Sequence, residues 1–206
     1  MKYIIMCGGG YPKWETPRQL TKFNDETLVE RTIRLLRQVG ATDIAISSND
    51  ERFEGFGVPV LHHDNSFSFP TGSWVEAFYP TEDPACYMFG DVFFSPAGIR
   101  KIYTKPTTGI DFFSSVPPFS KNYIKPHAEP FAFKVVDQKR FRAAIDFVKA
   151  NEYSTIFARR PISWELWQVI NGDCVRTINF NNCTVINDYT CDIDDVEDIE
   201  KLKRFL

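Results

Sequence analysis

The sequence has no run of about 18 consecutive apolar residues, the length that a helix needs to cross a membrane. Its apolar start is short and runs directly into glycines, which predicts no signal peptide. It also lacks internal repeats, low-complexity tracts and an excess of basic residues, since 24 Lys and Arg face 27 Asp and Glu. These absences predict a protein without a membrane or nucleic-acid partner.

The five cysteines are odd in number, and none forms a CxxC pair or another spacing typical of zinc sites. Scattered thiols of this kind are typical of a reducing compartment, so we expect a cytoplasmic protein. Aromatic side chains, in contrast, are abundant and make up 15% of the 206 residues. The length and composition predict one folded domain with a substantial core.

The small net charge of −3 conceals two segments of opposite sign. Residues 1–40 carry seven Lys and Arg against four Asp and Glu, whereas residues 187–206 carry three against seven. Some of these charges have ordinary structural explanations. Acids near Asp195 suit the start of a helix, and Arg31, Arg34 and Arg37 are expected on the outer face of another.

Hydrophobic periodicity predicts an α/β fold that begins with a right-handed βαβ unit. A strand over residues 3–6 precedes a glycine-rich loop, a helix capped by Asp25 or Thr27 and closed by Gly40, and a strand over residues 43–47. Further strands are predicted over residues 58–61, 85–89, 110–116, 130–136 and 183–186. Further helices are predicted over residues 73–79, 137–150 and 162–170, and from Asp195 onward, the last with a buried stripe of Val196, Ile199, Leu202 and Phe205.

The loop after the first strand is the first candidate site. Its contiguous glycines, residues 8–10, match neither a GxGxxG nor a Walker A motif, but their amides can hold phosphate oxygens. Lys13, Arg18 and Lys22 follow within the same loop and would suit a triphosphate. A surface turn with solvated charges explains the same residues without a ligand.

Carboxylates provide the second candidate site. Asp91 follows a buried strand, the position at which open α/β sheets bind ligands. Asp192 and Asp194 alternate in an extended segment, so both carboxylates face the same side. A hard cation such as Mg²⁺ would relieve their repulsion, although a turn residue and a solvated acidic face are the simpler alternatives.

These motifs, in this order, resemble the nucleotidyltransferases of the nucleotide-diphospho-sugar transferase fold. The resemblance covers residues 4–13 (IIMCGGGYPK), 17–20 (PRQL), 28–33 (LVERTI), 90–91 (GD) and 192–199 (DIDDVEDI). Residues 100–185 match only loosely. The chain departs from the pattern at Tyr11, which replaces a glycine, and at Lys13 and Arg18, which exchange the family's arginine and lysine.

The resemblance implies a three-layer α/β/α domain over residues 1–206 with a Rossmann-like, mixed and mostly parallel sheet. Residues 1–100 would bind the NTP, residues 101–185 the acceptor, and residues 186–206 would supply a metal motif and a helix. The implied enzyme is Mg²⁺-dependent and transfers NMP, with CTP as the preferred NTP, to a phosphate- or phosphonate-bearing acceptor such as a sugar phosphate or a phosphocholine-like group. We expect such an enzyme to serve surface polysaccharide synthesis, and a homodimer remains open.

The resemblance also implies roles for individual residues. The nucleotide-binding set is Cys7, Gly8, Gly9, Gly10, Lys13, Arg18, Ser48, Asn49, Gly72 and Ser73. Within it, Lys13 would hold the β- and γ-phosphates and Arg18 would stabilise charge at the α-phosphate, which makes both catalytic candidates. Asp91 and Asp194 would bind Mg²⁺, with Asp192 as a less certain neighbour.

The acceptor site has weaker signals. Its candidates are His127, Glu129, Arg159, Arg160, Trp164 and Glu165. Trp164 and Trp167 share a helix face, which indicates core packing or else an aromatic wall for a sugar or a quaternary ammonium. Two other functions remain open: a glycosyltransferase of the same fold, which the single Asp91 disfavours, and a nucleotide-binding module without activity.

Overall fold

The computed structural model describes residues 1–8, 14–63 and 72–206. Within these ranges the chain forms eleven strands, five α-helices and four short 3₁₀ helices. The strands are β1 (Lys2–Met6), β2 (Lys22–Phe23), β3 (Glu26–Thr27), β4 (Ile44–Ser47), β5 (Val60–Leu61), β6 (Ala85–Phe89), β7 (Val92–Phe93), β8 (Ile110–Ser114), β9 (Pro130–Val135), β10 (Thr184–Val185) and β11 (Cys191–Asp192). The α-helices are α1 (Leu28–Gln38), α2 (Pro96–Thr104), α3 (Gln138–Asn151), α4 (Ser163–Asn171) and α5 (Val196–Leu202), and the 3₁₀ helices are Arg18–Leu20, Glu51–Phe53, Trp74–Ala77 and Lys203–Phe205.

Seven strands form one mixed sheet in the order β10-β8-β9-β6-β1-β4-β5. The centre, from β6 through β1 and β4 to β5, is parallel, and β9 runs antiparallel to both of its neighbours. The central strands are buried along their length, which explains their continuous apolar sequences. This topology confirms the predicted mixed, mostly parallel α/β sheet.

Ring contacts show that helices cover both faces of the sheet. Tyr3 of β1 stacks on Tyr103 of α2, with ring centroids 6.1 Å apart. The next residue, Ile4, pairs with Tyr87 of β6, whose ring stacks on Phe141 of α3 at 5.6 Å. Because successive strand residues point to opposite faces, α2 and α3 lie on opposite sides of the sheet. The predicted three layers are therefore present.

The C-terminal segment is held beside the end of β6 by a two-stranded ladder. Strand β11 pairs antiparallel with β7, and the Ile193 amide donates a hydrogen bond to the Asp91 carbonyl at 2.9 Å. A small apolar cluster consisting of Phe23, Leu28, Phe93, Cys191, Ile193 and Leu202 packs around this ladder. The two acidic motifs, remote in sequence, are thereby brought together.

One helix is not predicted from the sequence, and two expectations for individual residues are wrong. The unpredicted helix is α2, which has Pro96 in its first turn and Gly98 buried against Thr190. Val196 is 63% exposed because the first turn of α5 points outward, so it is not part of the buried stripe. Arg31 is buried with its guanidinium 4.2 Å from the Phe93 ring centroid, rather than on an outer face.

We find no described helix with both the length and the apolarity that a membrane crossing requires.

Candidate active site

A cleft of about 260 Å³ opens at the carboxyl ends of β1 and β6. This is the edge at which open parallel sheets bind ligands, because adjacent strands end there and their connecting loops diverge. One side of the cleft, which we call the apolar end, is lined by Met6, Trp74, Ala77, Phe89, Pro130 and Ile162. The other side, the charged end, contains Arg18, Lys125, Glu129, Asp91, Asp192, Asp194 and Asp198.

Gly90 allows β1 and β6 to approach closely at the floor of the cleft. Its amide donates to the Met6 carbonyl at 3.0 Å. A Cβ atom at this position would lie 2.4 Å from the same carbonyl oxygen and 2.9 Å from the Cys7 sulfur, distances that real contacts do not tolerate. Only glycine fits at position 90 for this steric reason, and the close approach of the two strands there sets the position of Asp91.

Arg18 joins the two carboxylates that the sequence assigns to a metal. Its guanidinium donates to Asp91 Oδ2 at 2.6 Å and to Asp194 Oδ1 at 3.0 Å. It also donates to the Ile193 carbonyl at 2.5 Å, and the residue is only 4% exposed. Asp91 and Asp194 thus lie within reach of one side chain, as a shared metal site requires.

Lys125 is the charged residue that the sequence analysis missed. Its buried ammonium lies 2.7 Å from Asp198 Oδ2 and 2.8 Å from Asp194 Oδ2. It lies 3.3 Å from Asp192 Oδ1 and 3.5 Å from Glu129 Oε1. These neighbours outweigh the desolvation of the ammonium, so its pKa is raised. Nothing in the spacing of the sequence indicates that Lys125 meets the last acidic motif, because the meeting depends on how residues 115–130 fold.

The carboxylates at the charged end differ in their protonation behaviour. Burial raises the pKa of Asp91, an effect opposed by Arg18 and reinforced by the charge of Asp192. Burial also acts on Asp194, but Lys125 and Arg18 outweigh it and hold its pKa below the ordinary value. The pKa of Glu129 is raised by burial and by Asp192, against the influence of Lys125. Its Oε2 accepts a hydrogen bond from the Tyr123 hydroxyl at 2.8 Å.

The charged end fits a hard divalent cation. Its potential ligands from Asp91, Asp192 and Asp194 are all carboxylate oxygens, which Mg²⁺ prefers. The buried Oδ1 of Asp192 makes no hydrogen bond to any residue in the described ranges, and the same is true of Glu129 Oε1. Ligand atoms of Glu129 and Asp194 also lie close to His127, within 4.8 Å of one another. The Lys125 ammonium is within ion-pair distance of both oxygens, at 3.3 and 3.5 Å, and a bound cation or donor would give each the direct partner that it lacks.

The described members of the predicted nucleotide-binding set lie along the ends of β1 and β4 and before the 3₁₀ helix Trp74–Ala77. Cys7 is fully buried, and its amide donates to the Ser47 carbonyl at 2.9 Å, whereas Gly8 lines the cleft. Ser48 is buried and accepts from the Asp50 amide, and Asn49 is exposed. Gly72 accepts a hydrogen bond from Arg160, and Ser73 is buried with its amide bonded to Glu76. Gly9, Gly10 and Lys13 lie outside the described residues.

The predicted acceptor residues divide into two groups. His127, with Nε2 3.7 Å from Glu129 Oε1, and Glu129 itself lie beside the charged end. Trp164 is 5% exposed, and its ring meets Phe112 edge-on at 5.1 Å. Trp167 is buried in the same core, which confirms core packing for that helix face.

The other candidates on that side are engaged in local structure. Glu165 is buried, accepts from the Ile162 amide at 3.0 Å and pairs with Arg159 at 2.7 Å, while Arg160 pairs with Glu152. Trp164 thus packs in the core and Glu165 caps its own helix, and their contact with an acceptor stays a prediction. Their neighbours Ile162 and Ser163 line the cleft instead.

Aromatic and amide side chains in the cleft also escaped the sequence analysis. Trp74 meets Phe89 edge-on at 5.6 Å and lines the apolar end. Gln19 lies next to Arg18 and donates to the Gly8 carbonyl at 3.3 Å, while its buried Oε1 has no described partner. Because aromatic residues are abundant in this sequence, a single Trp does not indicate a binding site. Only the folded structure shows that Trp74 lines the cleft, unlike the aromatic residues of the core.

A family model described as the MobA-like NTP transferase domain matches residues 3–126. A search of curated protein sequences gave no match. Solved structures with the same fold include the CTP:phosphocholine cytidylyltransferase of Streptococcus pneumoniae, at 16% identity and a TM-score of 0.57 over 99% of this chain and 98% of that one. A protein assigned as a glucose-1-phosphate thymidylyltransferase from Bacillus anthracis is similar at 18% identity and a TM-score of 0.60, over 99% of this chain and 94% of that one. The 4-diphosphocytidyl-2C-methyl-D-erythritol synthase of Anaerococcus prevotii is similar at 13% identity and a TM-score of 0.56, over 99% of this chain and 96% of that one.

Proposed function

Because the chain belongs to the MobA-like NTP transferase family, we propose that it transfers a nucleoside monophosphate from an NTP to a small phosphate- or phosphonate-bearing acceptor. An acceptor oxygen attacks the α-phosphorus, the bond to the bridging oxygen breaks, and pyrophosphate leaves. The observation that carries this proposal is the charged end of the cleft. Asp91 and Asp194 come from distant parts of the chain and meet on one guanidinium at 2.6 and 3.0 Å.

The residues at the charged end have complementary tasks in such a transfer. Nucleotidyl transfer depends mainly on positioning and on neutralising phosphate charge. Arg18 can form paired hydrogen bonds with phosphate oxygens through its planar guanidinium. Lys125 neutralises the carboxylates around it and keeps them in place. Gly8 and the segment after it would cover the phosphates with backbone amides.

Asp91 and Asp194, with Asp192 as a neighbour, would hold a divalent cation that neutralises the triphosphate and polarises its α-phosphoryl group when bound. We favour Mg²⁺ because the set is purely carboxylate. The Oδ1 of Asp192 makes no hydrogen bond within the described residues, which supports a third ligand from this motif. Glu129 accepts from the Tyr123 hydroxyl at 2.8 Å and lies 3.5 Å from the Lys125 ammonium, so its role would be to hold Lys125 in place rather than to bind the cation.

CTP is the nucleotide that we favour, since the named relatives include two cytidylyltransferases. The acceptor would place its phosphate at the charged end and its organic part against Trp74, Phe89 and Ile162. This apolar surface suits an acceptor with exposed carbon, such as phosphocholine, and also the flat face of a sugar ring. A cytoplasmic enzyme of this kind would make an activated precursor for a surface polymer.

The test is pyrophosphate release from the full-length chain with Mg²⁺, each of the four NTPs and a panel containing phosphocholine, glucose-1-phosphate and a methylerythritol phosphate. We expect release with one NTP and one acceptor class above all others. Release with no pairing, from protein whose circular dichroism shows a folded chain, would contradict the proposal. Binding of a nucleotide-sugar without binding of any triphosphate would instead favour a glycosyltransferase of the same fold.

A further inference from the structure

A closed set of hydrogen bonds, which we call the Tyr123 network, lies behind the charged end of the cleft. The Glu129 amide donates to Ser115 Oγ at 2.8 Å, and the Tyr123 hydroxyl donates to Glu129 Oε2 at 2.8 Å. The hydroxyls of Ser115 and Tyr123 are also hydrogen-bonded to each other. Because the proton of Tyr123 is directed at Glu129, Ser115 is the donor in that third bond. Each hydroxyl thus both donates and accepts, an arrangement in which hydrogen bonds strengthen one another.

The interior of the protein encloses this network. Ser115, Tyr123 and Glu129 are all buried. The Phe119 ring stacks on the Tyr123 ring, with centroids 4.8 Å apart. The Tyr123 hydroxyl also lies 3.3 Å from the His127 carbonyl, but its contact with Glu129 is the shorter one. Water does not compete for these bonds, so removing one hydroxyl would leave a buried partner unsatisfied.

The network holds one oxygen of Glu129 and leaves the other facing Lys125. Glu129 Oε1 makes no hydrogen bond within the described residues and lies 3.5 Å from the Lys125 ammonium. The ammonium in turn lies 2.7 Å from Asp198 Oδ2 and 2.8 Å from Asp194 Oδ2. A chain of contacts therefore runs from the buried Tyr123 hydroxyl to Asp194, which the proposed function assigns to a metal.

The main chain does not need the side chains of the network to hold this part of the sheet together. Strands β8 and β9 pair along their length, with Ser114 opposite Pro130. Beyond that pair, the Ser115 amide donates to the Glu129 carbonyl at 2.8 Å. What the two hydroxyls add is the orientation of the Glu129 carboxylate, and this orientation matters to the residue that the carboxylate faces.

We propose that Tyr123 is a positioning residue, which acts through Glu129 to hold the Lys125 ammonium among the carboxylates of the charged end. The inference rests on the proposed function for the reaction that the positioned ammonium serves. Tyr123 is not among the residues that line the cleft. Its loss should therefore lower kcat and leave KM nearly unchanged.

The first experiment needs no substrate. The wild type and Tyr123→Phe are reductively methylated with formaldehyde and cyanoborohydride, and mass spectrometry of their peptides gives a labelling rate for each lysine. We expect Lys125 to be labelled about tenfold faster in Tyr123→Phe, because loss of a buried hydrogen bond releases Glu129 from its fixed orientation. The matched control is Tyr103→Phe, whose ring stacks on Tyr3. It should leave the Lys125 rate within about twofold of the wild type.

A second buried lysine separates positioning from general loosening of the fold. The Lys134 ammonium donates to three backbone carbonyls at the end of α2 and its residue is buried like Lys125. A substitution that only destabilised the protein would expose both lysines and speed the labelling of both. We expect the Lys134 rate in Tyr123→Phe to stay within about twofold of the wild type, since its contacts do not involve the network.

The second experiment measures pyrophosphate release by Tyr123→Phe, Ser115→Ala and the double variant, with the NTP and acceptor that the wild type uses. We expect each single substitution to lower kcat about tenfold, the equivalent of one buried hydrogen bond, with KM nearly unchanged. Both substitutions break the same network, so their effects should not multiply. The double variant should be about as fast as the slower single variant.

Labelling of Lys125 that is no faster in Tyr123→Phe than in Tyr103→Phe, or an equal rise at Lys134, would overturn the positioning role. Faster labelling of Lys125 with an unchanged kcat would overturn its importance for the transfer. If the wild type releases no pyrophosphate with any pairing, the proposed function fails, whereas the labelling rates still decide whether Tyr123 positions Lys125. If circular dichroism shows that Tyr123→Phe does not fold, Ser115→Ala replaces it in both experiments.

Discussion

The charged end and the apolar end of the cleft lie side by side but are built in different ways. The charged end gathers side chains from both ends and the middle of the chain, and its hydrogen bonds and ion pairs hold them at 2.5–3.5 Å. The apolar end consists of rings and aliphatic groups, with Trp74 packed edge-on against Phe78 and Phe89. Directional contacts specify the first region, whereas shape specifies the second.

This difference predicts that the two ends of the cleft have separate functions. Charge placed at fixed distances is what phosphoryl chemistry needs, so the charged end should govern turnover. A surface of rings offers contact area without demanding one orientation, so the apolar end should govern which organic group is accepted. Four substitutions test this division, and they are described from the largest expected effect to the smallest.

Lys125→Met should cause the largest loss of stability. The methionine removes the only charge that faces Asp192, Asp194 and Asp198 together in the described part of the chain. Asp194 keeps Arg18, but the buried Asp198 and the mostly buried Asp192 lose their nearest cation. Breaking a buried pair in this way costs about 3–5 kcal/mol, which denaturant unfolding can measure. The exposed Lys121 gives a matched control, and Lys121→Met should change stability by less than about 0.5 kcal/mol.

Asp91→Asn should cause the largest loss of turnover. The amide cannot neutralise Arg18 and is a poor ligand for a hard cation, so we expect kcat/KM to fall by about 10²–10³-fold. The melting temperature should fall as well, since buried Arg18 loses an ion pair. Asp43→Asn, which alters an exposed pair with Lys2, serves as the control. A variant at Asp91 with wild-type turnover would remove the charged end from the reaction.

Trp74→Ala tests the apolar end. Loss of the ring should weaken binding of the base or the acceptor by about 1–3 kcal/mol, as for other stacked rings, and should raise KM with little change in kcat. Trp74→Phe retains a ring and should recover most of the affinity. If Trp74→Ala lowered kcat and left KM unchanged, the proposed division between the two ends would be wrong.

Ser163→Ala should have the smallest effect. The buried hydroxyl of Ser163 lines the cleft and has no hydrogen-bond partner among the described residues. Its removal should leave the free protein as stable as before, within about 0.5 kcal/mol. A rise in the acceptor KM would show that the hydroxyl bonds to the acceptor, whereas an unchanged KM would limit the role of α4 to packing.

Much of the fold could be predicted from the sequence, because the relevant signals are local. The apolar runs of β1 and β6, the helical stripe of α1 and the helix start at Asp195 each depend on neighbouring residues. Thr27, one of the two predicted caps of α1, forms a capping box with Glu30. The N-cap at Asp195 likewise accepts from the Asp198 amide at 3.1 Å.

The rest depends on contacts between remote segments, which local patterns do not encode. Lys125 lies in a loop, and its four acidic neighbours are visible only after β11 has paired with β7. The sequence left both core packing and an aromatic wall open for Trp164, and only the fold of α4 against Phe112 shows that it is buried. Helix α2 was missed because Pro96 and Gly98 resemble loop residues, although Pro is favoured in a first turn and Gly98 allows close packing against Thr190.

The ladder between β7 and β11 also determines when the site can exist. Arg18 and Asp194, which meet across it, are 176 positions apart in sequence. Because a protein is synthesised from its N-terminus, the glycine-rich loop and Asp91 leave the ribosome well before the acidic motif of residues 192–199. A nascent chain can therefore build most of the sheet while the charged end of the cleft remains without the carboxylates of residues 192–198. Arg18 therefore gains its contact with Asp194 only after all of the strands of the main sheet have been synthesised.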